Sequence, residues 1–365
     1  MEVVRSIKKS DFFKQNSDKE KILFLLEFAV LAPSYYNSQP WLFKIEDNKC
    51  TVLLDPKIQL KESDPDLRNL YISLGCAIEN IVIIAKYFGV LEKTESVFDN
   101  GKYSATNISF VFNKESTSFE NAQKLDKDYE KLSDYILRRH SSSGFFQGEV
   151  VPPDIISRLS TIPFLDEFRG LRLDFLTNKD QIAILGKVLS DGIIKKFKEK
   201  PYRKEFSRWV HGENSKKDGL LRSSLNLKGL FSSIVALLIN IINVGPYLAR
   251  SEFERIKSAP VVCVLGVSEE DNQLIGSQFV KNTKTKEERW INTGRLTERI
   301  LLEFSARGFD ASFFGSAVML GDLYKEVQKV IGMTERPQLI FGVGHILSKY
   351  KFTLRHDVKN KISLN

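Results

Sequence analysis

Residues 32–43, APSYYNSQPWLF, leave the backbone few courses to take. Pro33 and Pro40 each fix φ and remove a backbone donor, while Ser34, Asn37, Ser38 and Gln39 hydrogen-bond locally and favour turns. Six polar or conformationally fixed residues thus fall in the eight positions 33–40. A helix that merely ended here would need one breaker and a cap, so this density asks for a shaped loop. The plainer alternative is an ordinary polar turn between a helix and the apolar strand that starts at Trp41.

Helical periodicity runs through Glu20–Leu31, Leu67–Phe88, Lys124–Leu137, Lys179–Leu189, Trp290–Arg307 and Leu323–Ile331. Strand-like runs lie at Trp41–Ile45, Thr51–Leu54, Asn107–Phe112, Leu171–Leu176, Pro260–Val267 and Gln338–Gly342. The mixture lacks strict βαβ alternation, which predicts an α+β fold rather than a doubly wound sheet. Neither GxGxxG after a strand nor a Walker-type GxxxxGK loop occurs, which removes the two common glycine-rich phosphate loops. The segments ISLGCAIENIVIIAKYFG (72–89) and INTGRLTERILLEFSARGF (291–309) share a Gly at the fourth place, an acid at the eighth, an apolar run and a closing Gly. They point to two similar halves; the competing reading is chance agreement between two amphipathic helices. The polar stretch at 114–128 supplies a divider and suggests halves of 1–120 and 121–365.

A formal charge of +8 raises the question of an anionic partner. The cations are spread thinly, however, and runs such as Lys195, Lys196, Lys198 and Lys200 read as a solvated face, so no nucleic-acid partner is expected. Cys50, Cys76 and Cys263 lie in apolar runs with no CxxC, and read as buried thiols in a reducing compartment. The four histidines, at 140, 211, 345 and 356, lack metal-ligand spacing, so no metal site is expected. The first residues lack the apolar core of a signal peptide, which makes the cytoplasm the expected address. Residues 229–248 carry no charge, but Asn240 breaks an apolar stretch already short for a membrane span. A helix covering a pocket or an interface is the preferred reading, with membrane-surface contact as the alternative.

In DYILRRHSSSGFF (134–146) a helix ends in Arg138 and Arg139 and runs into three serines and a glycine. Guanidinium forks, hydroxyls and loop amides suit a phosphate monoester. A helix C-terminus capped by cations and followed by a turn would look the same.

Together the two loops resemble the nitroreductase family of FMN-dependent oxidoreductases. In that family an Arg/Ser loop holds the FMN phosphate and ribityl chain, and a PSxxNxQPWxF loop meets the isoalloxazine edge from the other subunit of a homodimer. Here RRHSSSGF and PSYYNSQPWLF match them, but in inverted order, the ring loop preceding the phosphate loop by about a hundred residues. The inversion resembles the long single-chain subgroup, in which two fused halves mimic the dimer. Segments 64–80, 209–225, 290–312, 336–345 and 353–358 agree with that subgroup.

The resemblance implies a nitroreductase-like α+β fold in two halves, with a lid-like insertion at about 196–257. It places Arg139, His140 and Ser141 at the phosphate and ribityl chain, with Arg138 beside them. Ser143 stands where many members carry Lys or Arg, and Arg355 matches a basic residue that can restore the lost charge. Ser34, Asn37 and Gln39, in one loop with Pro33 and Tyr35, would face the ring. Ser312, Phe313 and Gly315 would lie near its reactive edge. The implied cofactors are FMN and, as electron donor, NAD(P)H; the implied acceptor is a nitroaromatic, a quinone or a similar small molecule. No side chain need act as nucleophile, because flavin N5 carries the hydride, and Glu79 and Glu298 are expected at a helix surface or between the halves. The insertion leaves a second reading, an FMN-sequestering or redox-sensing protein with a covered flavin. The chain is expected to be a monomer with an internal pseudo-dimer, or a homodimer.

Overall fold

The computed structural model describes residues 7–112, 127–212, 216–225, 239–268, 272–275, 278–281, 285–315, 318, 320–347 and 353–363. Two four-stranded antiparallel sheets share one strand order. In the first half β1 (Trp41–Glu46), β2 (Lys49–Leu54), β3 (Leu91–Asp99) and β4 (Lys102–Phe110) lie in the order β1-β2-β4-β3. In the second half β5 (Leu171–Leu176), β6 (Val261–Val267), β7 (Asp310–Phe314) and β8 (Arg336–Gly344) lie in the order β5-β6-β8-β7. Between the second and third strand of each sheet stands a 20-residue helix, α2 (Arg68–Tyr87) in the first and α5 (Lys286–Ser305) in the second. The α+β expectation holds, and the paired sequence segments 72–89 and 291–309 prove to fill equivalent places.

Local chemistry explains where the helices start. Helix α1 (Asp18–Ala29) opens on a Ser17–Glu20 capping box and α5 on a Thr285–Glu288 box, each pairing two otherwise orphaned backbone donors. Helix α2 is capped from outside its first turn. Asp64 Oδ1 accepts from the Asn69 amide at 3.0 Å and Oδ2 from the Leu70 amide at 3.0 Å. Helix α2 is apolar enough to cross a membrane by length and composition, but 83% of its most apolar window is buried inside the fold, which is how a central core helix reads.

The two central helices pack backbone to backbone. A Cβ at Gly75 would stand 2.0 Å from Ile291 O, and one at Gly294 would stand 1.9 Å from Ile72 O. The two contacts are one contact with the partners exchanged, as across a twofold axis. The same spacing relates Glu79 to Glu298, and neither is at a helix surface: both are buried, and Glu79 pairs across the halves while Glu298 pairs with Arg139 within the second. Glu79 meets Arg295 at 3.0 Å and Arg299 at 3.5 Å, and Glu298 lies 3.2 Å from Arg139.

Three further expectations need comment. Cys50, Cys76 and Cys263 are buried free thiols, in β2, α2 and β6. The proposed junction at 114–128 falls almost wholly outside the described residues. So does the front of the 229–248 segment. What is described of it does not run on as one helix: Ile241 and Ile242 are exposed, and α4 (Gly245–Ser258) starts afresh with Pro246 in its first turn.

Candidate functional site

The loop at 33–39 and the arginine-bearing loop meet at one cavity of about 400 Å³, within the range of small-molecule sites. Pro33, Ser34, Tyr35 and Asn37 line it from one loop, and His140, Ser141 and Ser143 from the other. Phe313 and Gly315 join them from the end of β7, and Arg355 from the C-terminal segment. Gln39, Arg138, Arg139 and Ser312 do not reach the lining.

The loop at 33–39 holds its shape against its own backbone preference. Tyr36, Asn37 and Gln39 have φ of 54°, 53° and 50°, three left-handed residues without a glycine, each costing on the order of 1 kcal/mol. Hydrogen bonds offset that cost. Gln39 N donates to Ser34 Oγ at 3.0 Å, and Tyr35 N donates to Ser73 Oγ of α2 at 3.0 Å. Asn37 Oδ1 accepts from Arg355 Nη1 at 2.7 Å, while its Nδ2 donates to Leu354 O and Lys217 O, both at 3.2 Å. Gln39 is buried behind the loop, its Nε2 donating to Lys217 O at 2.7 Å and its Oε1 accepting from His356 N at 2.7 Å. The amides of Asn37 and Gln39 are therefore spent on tying three distant segments together.

The arginine-bearing loop is fixed to the second sheet. Ser141 bridges to Ala311, and Ser142 N donates to Ala311 O at 2.9 Å, which brings the serines beside Phe313. Arg138 is exposed and stacks on Tyr135. Arg139 is 3% exposed and lies behind the serines, with Nη1 on Ser141 Oγ at 3.3 Å and Nη2 on Leu31 O at 3.0 Å. Its Nε is near Glu298 but angled away from a hydrogen bond, so the contact is ionic. Of the arginines expected at the site, Arg355 is the one that reaches the cavity wall. It is 9% exposed, its Nε has no partner among the described residues, and burial, aided by Arg139, pulls it down to about 9. A buried cation with an unused donor at a cavity wall suits an anion.

Beneath this loop Glu298 is fully buried, and burial raises its carboxyl to about 7, with Glu79 adding to the rise and Arg139, Asn80 and Arg355 opposing it. A carboxyl raised on folding favours the folded state most below its ordinary value near 4.5 and loses that advantage as pH climbs through about 7. Glu298→Gln removes the titration. The stability of the variant relative to the parent is expected to rise by about 3 kcal/mol between pH 4.5 and 8. Urea unfolding across that range tests it, and a pH-independent difference would refute the assignment.

The segment between α3 (Lys179–Lys198) and β6 forms the opposite wall. Tyr202 and Phe206 of the helix Lys200–Arg208, Leu220, Leu225, and Leu248 and Arg255 of α4 all line the cavity. Tyr36 and Tyr202 share a hydroxyl contact of 3.1 Å that ties this wall to the loop at 33–39. Sequence reasoning missed Arg68, in the first turn of α2, and Lys196, near the end of α3; both line the cavity. Lys196 corrects the solvated-face reading of its lysine run, since it is 6% exposed while Lys195 and Lys198 are exposed. Its place next to Phe197 on the buried side of α3 was the available signal.

No family model matches the chain. A stretch of 72 residues is 35% identical to a Mycobacterium tuberculosis protein described as "Putative NAD(P)H nitroreductase", found in strains CDC 1551 and H37Rv. The match covers 20% of this chain and 21% of the relative, so it spans about a fifth of the relative's length. Among solved structures, the FMN and NADPH-dependent nitroreductase NfnB from sphigopyxis sp. strain HMH is similar at 14% identity, covering 64% of this chain and 98% of its own, with a TM-score of 0.40. The FMN-dependent nitroreductase NfnB from Mycobacterium smegmatis, in complex with NADPH, is similar at 12% identity over 60% and 88%, with a TM-score of 0.35. Overlays this loose add no weight to the fold, which rests on the sheets and helices described above.

Proposed function

We propose that this nitroreductase-like chain is an FMN-dependent oxidoreductase that takes electrons from NAD(P)H and passes them to nitroaromatics, quinones or related small acceptors. One observation carries the reading: the two loops that resemble the family's ring and phosphate loops, about a hundred residues apart in sequence, border the same cavity. The cofactor's phosphate would be held by Arg355 and the Ser141 and Ser143 hydroxyls, with His140 beside them and Arg139 supporting from behind. The ring would lie against Pro33, Ser34 and Tyr35 on one side and Phe313 and Gly315 on the other. Bound there, FMN supplies the hydride chemistry at N5, in a ping-pong exchange of donor and acceptor. The chain's own residues hold the phosphate, shape the ring's surroundings and, through the apolar wall, limit what enters beside it.

The two halves are proposed to be 1–120 and 121–365, an internal counterpart of a dimer. The shared strand order and the exchanged glycine contacts support that division. The wall formed by Tyr202, Phe206, Leu220 and Leu248 supports a second reading, in which the flavin is stored or sensed behind a cover that keeps nicotinamide out. Purified protein is expected to be yellow, to bleach with NADPH or NADH without oxygen, and to recolour with a quinone. Yellow protein inert to both nicotinamides favours storage, and protein that cannot be reconstituted with FMN rules out both readings. Arg355→Met is expected to raise the Kd for FMN by about tenfold to a hundredfold, the worth of a charge-assisted bond. An unchanged Kd on fluorescence titration would remove Arg355 from the site.

A further inference from the structure

The charge on the cavity wall exceeds what one phosphate needs. Arg68, Lys196, Arg255 and Arg355 all line the cavity, against a single carboxylate among the described residues, Glu252. Arg255 and Glu252 answer each other at 3.2 Å. Arg355 bonds to Asn37 Oδ1 and Ala32 O, whereas Arg68 bonds to Gln338 Oε1 and Asn69 Oδ1, and Lys196 lies over the Tyr202 ring. The cations therefore form two neighbourhoods at different places on the wall.

The Arg68 neighbourhood is a built site. Arg68 is 9% exposed and Lys196 is 6% exposed. The bonds Arg68 makes are long and go to neutral amide oxygens, Gln338 Oε1 at 3.4 Å and Asn69 Oδ1 at 3.3 Å. The nearby carboxylates also accept backbone amides: Asp64 caps α2, and Glu205 accepts from the Glu62 and Ser63 amides at 3.0 and 2.8 Å. Among the described residues no carboxylate bonds to Arg68 directly, and a guanidinium buried in that way favours an anion that arrives to meet it. Around the pair stand Phe197, Tyr202 and Phe206, so the anion's remainder is apolar or aromatic.

We infer that Arg68 and Lys196 form an anion subsite, separate from the FMN phosphate end, that receives a carboxylate or phosphate on the protein's second small-molecule ligand. The inference rests on the FMN reading, which makes this ligand the second one and supplies the phosphate end from which the subsite is separate. The anion arises either from an aromatic acid taken as acceptor or from the phosphates of the nicotinamide donor. Arginine supplies a planar fork for either, and lysine a point charge beside it.

The test uses the flavin-loaded 365-residue chain and two unreactive probes, benzoate for the acid and adenosine 2′,5′-bisphosphate for the nucleotide, with benzamide as neutral control. Binding is followed by calorimetry and by the flavin absorbance. Arg68→Met and Lys196→Met are each expected to raise the Kd of one anionic probe by about tenfold or more while leaving benzamide unchanged. The probe that loses affinity identifies the source of the anion. Melting temperature and bound FMN are measured on every variant, and Lys196→Met carries the test if Arg68→Met does not fold. Anionic probes that bind all variants equally, or that fail to bind the parent protein, overturn the subsite. Loss of FMN from Arg68→Met would instead assign the cation to the cofactor and also overturn it. If the parent protein takes up no FMN, the oxidoreductase reading fails, and calorimetry on the flavin-free protein still decides the subsite.

Discussion

Gly294→Ala is expected to cost about 4 kcal/mol or more and to lower the melting temperature by roughly 5 °C or more. The new Cβ would stand 1.9 Å from Ile72 O and 3.0 Å from Cys76 N, both backbone atoms of a helix packed on every side. No flexible side chain can yield, so α2 and α5 must separate along their length. Separation would loosen the ion pairs of Glu79 on α2 with Arg295 and Arg299 on α5. Gly75→Ala should do the same from the other side, because its Cβ meets Ile291 O at 2.0 Å. Gly148→Ala is the control, with nothing within 4 Å of the added carbon. Equal melting temperatures for Gly294→Ala and Gly148→Ala would mean that the central helices do not touch as described.

Those two glycines show what the sequence makes legible. Their matched place in 72–89 and 291–309 was visible because close backbone approach admits no other residue, and the repeated acid four places on was visible for the charge it brings. The strand order they flank was not visible. β3, with its exposed Glu92, Lys93 and Glu95, lacks the apolar alternation that betrays a half-buried strand. The same limit hid the start of β4, expected from Asn107 and found from Lys102, and the short β7. Helix α3 was expected to stop at Leu189 and continues to Lys198, because Gly192 and the lysines mask a buried side that holds Ile193, Lys196 and Phe197. At the site, residue type revealed which loops matter but not which atoms face inward. Gln39 and Arg139 look like ligands in a string of letters, and Arg68 looks like a helix's first-turn cation. Only the fold turns the first two away from the cavity and the third toward it.

Gln39→Ala is expected to have the second largest effect, a loss of about 3 kcal/mol together with loss of FMN retention. Truncation deletes a buried amide that donates to Lys217 O at 2.7 Å and to Asn37 O at 3.3 Å and accepts from His356 N at 2.7 Å. Each buried partner left without a bond costs about 1–3 kcal/mol, and the emptied volume adds to that. Backbone conformation does not enter the difference, since alanine and glutamine pay alike for a φ of 50°. The functional loss follows from what the amide connects. With His356 released, Arg355 keeps its bond to Asn37 Oδ1 but loses the anchor on the next residue that fixes its approach to the cavity. Hydrogen exchange separates this account from general destabilisation. The His356 amide should lose protection at denaturant concentrations where the β6 and β8 amides remain protected, because the second sheet does not depend on Gln39. Protection of His356 matching the parent protein would mean that the C-terminal segment is held some other way, and that Arg355 keeps its place at the wall through its bonds to Asn37 Oδ1 and Ala32 O.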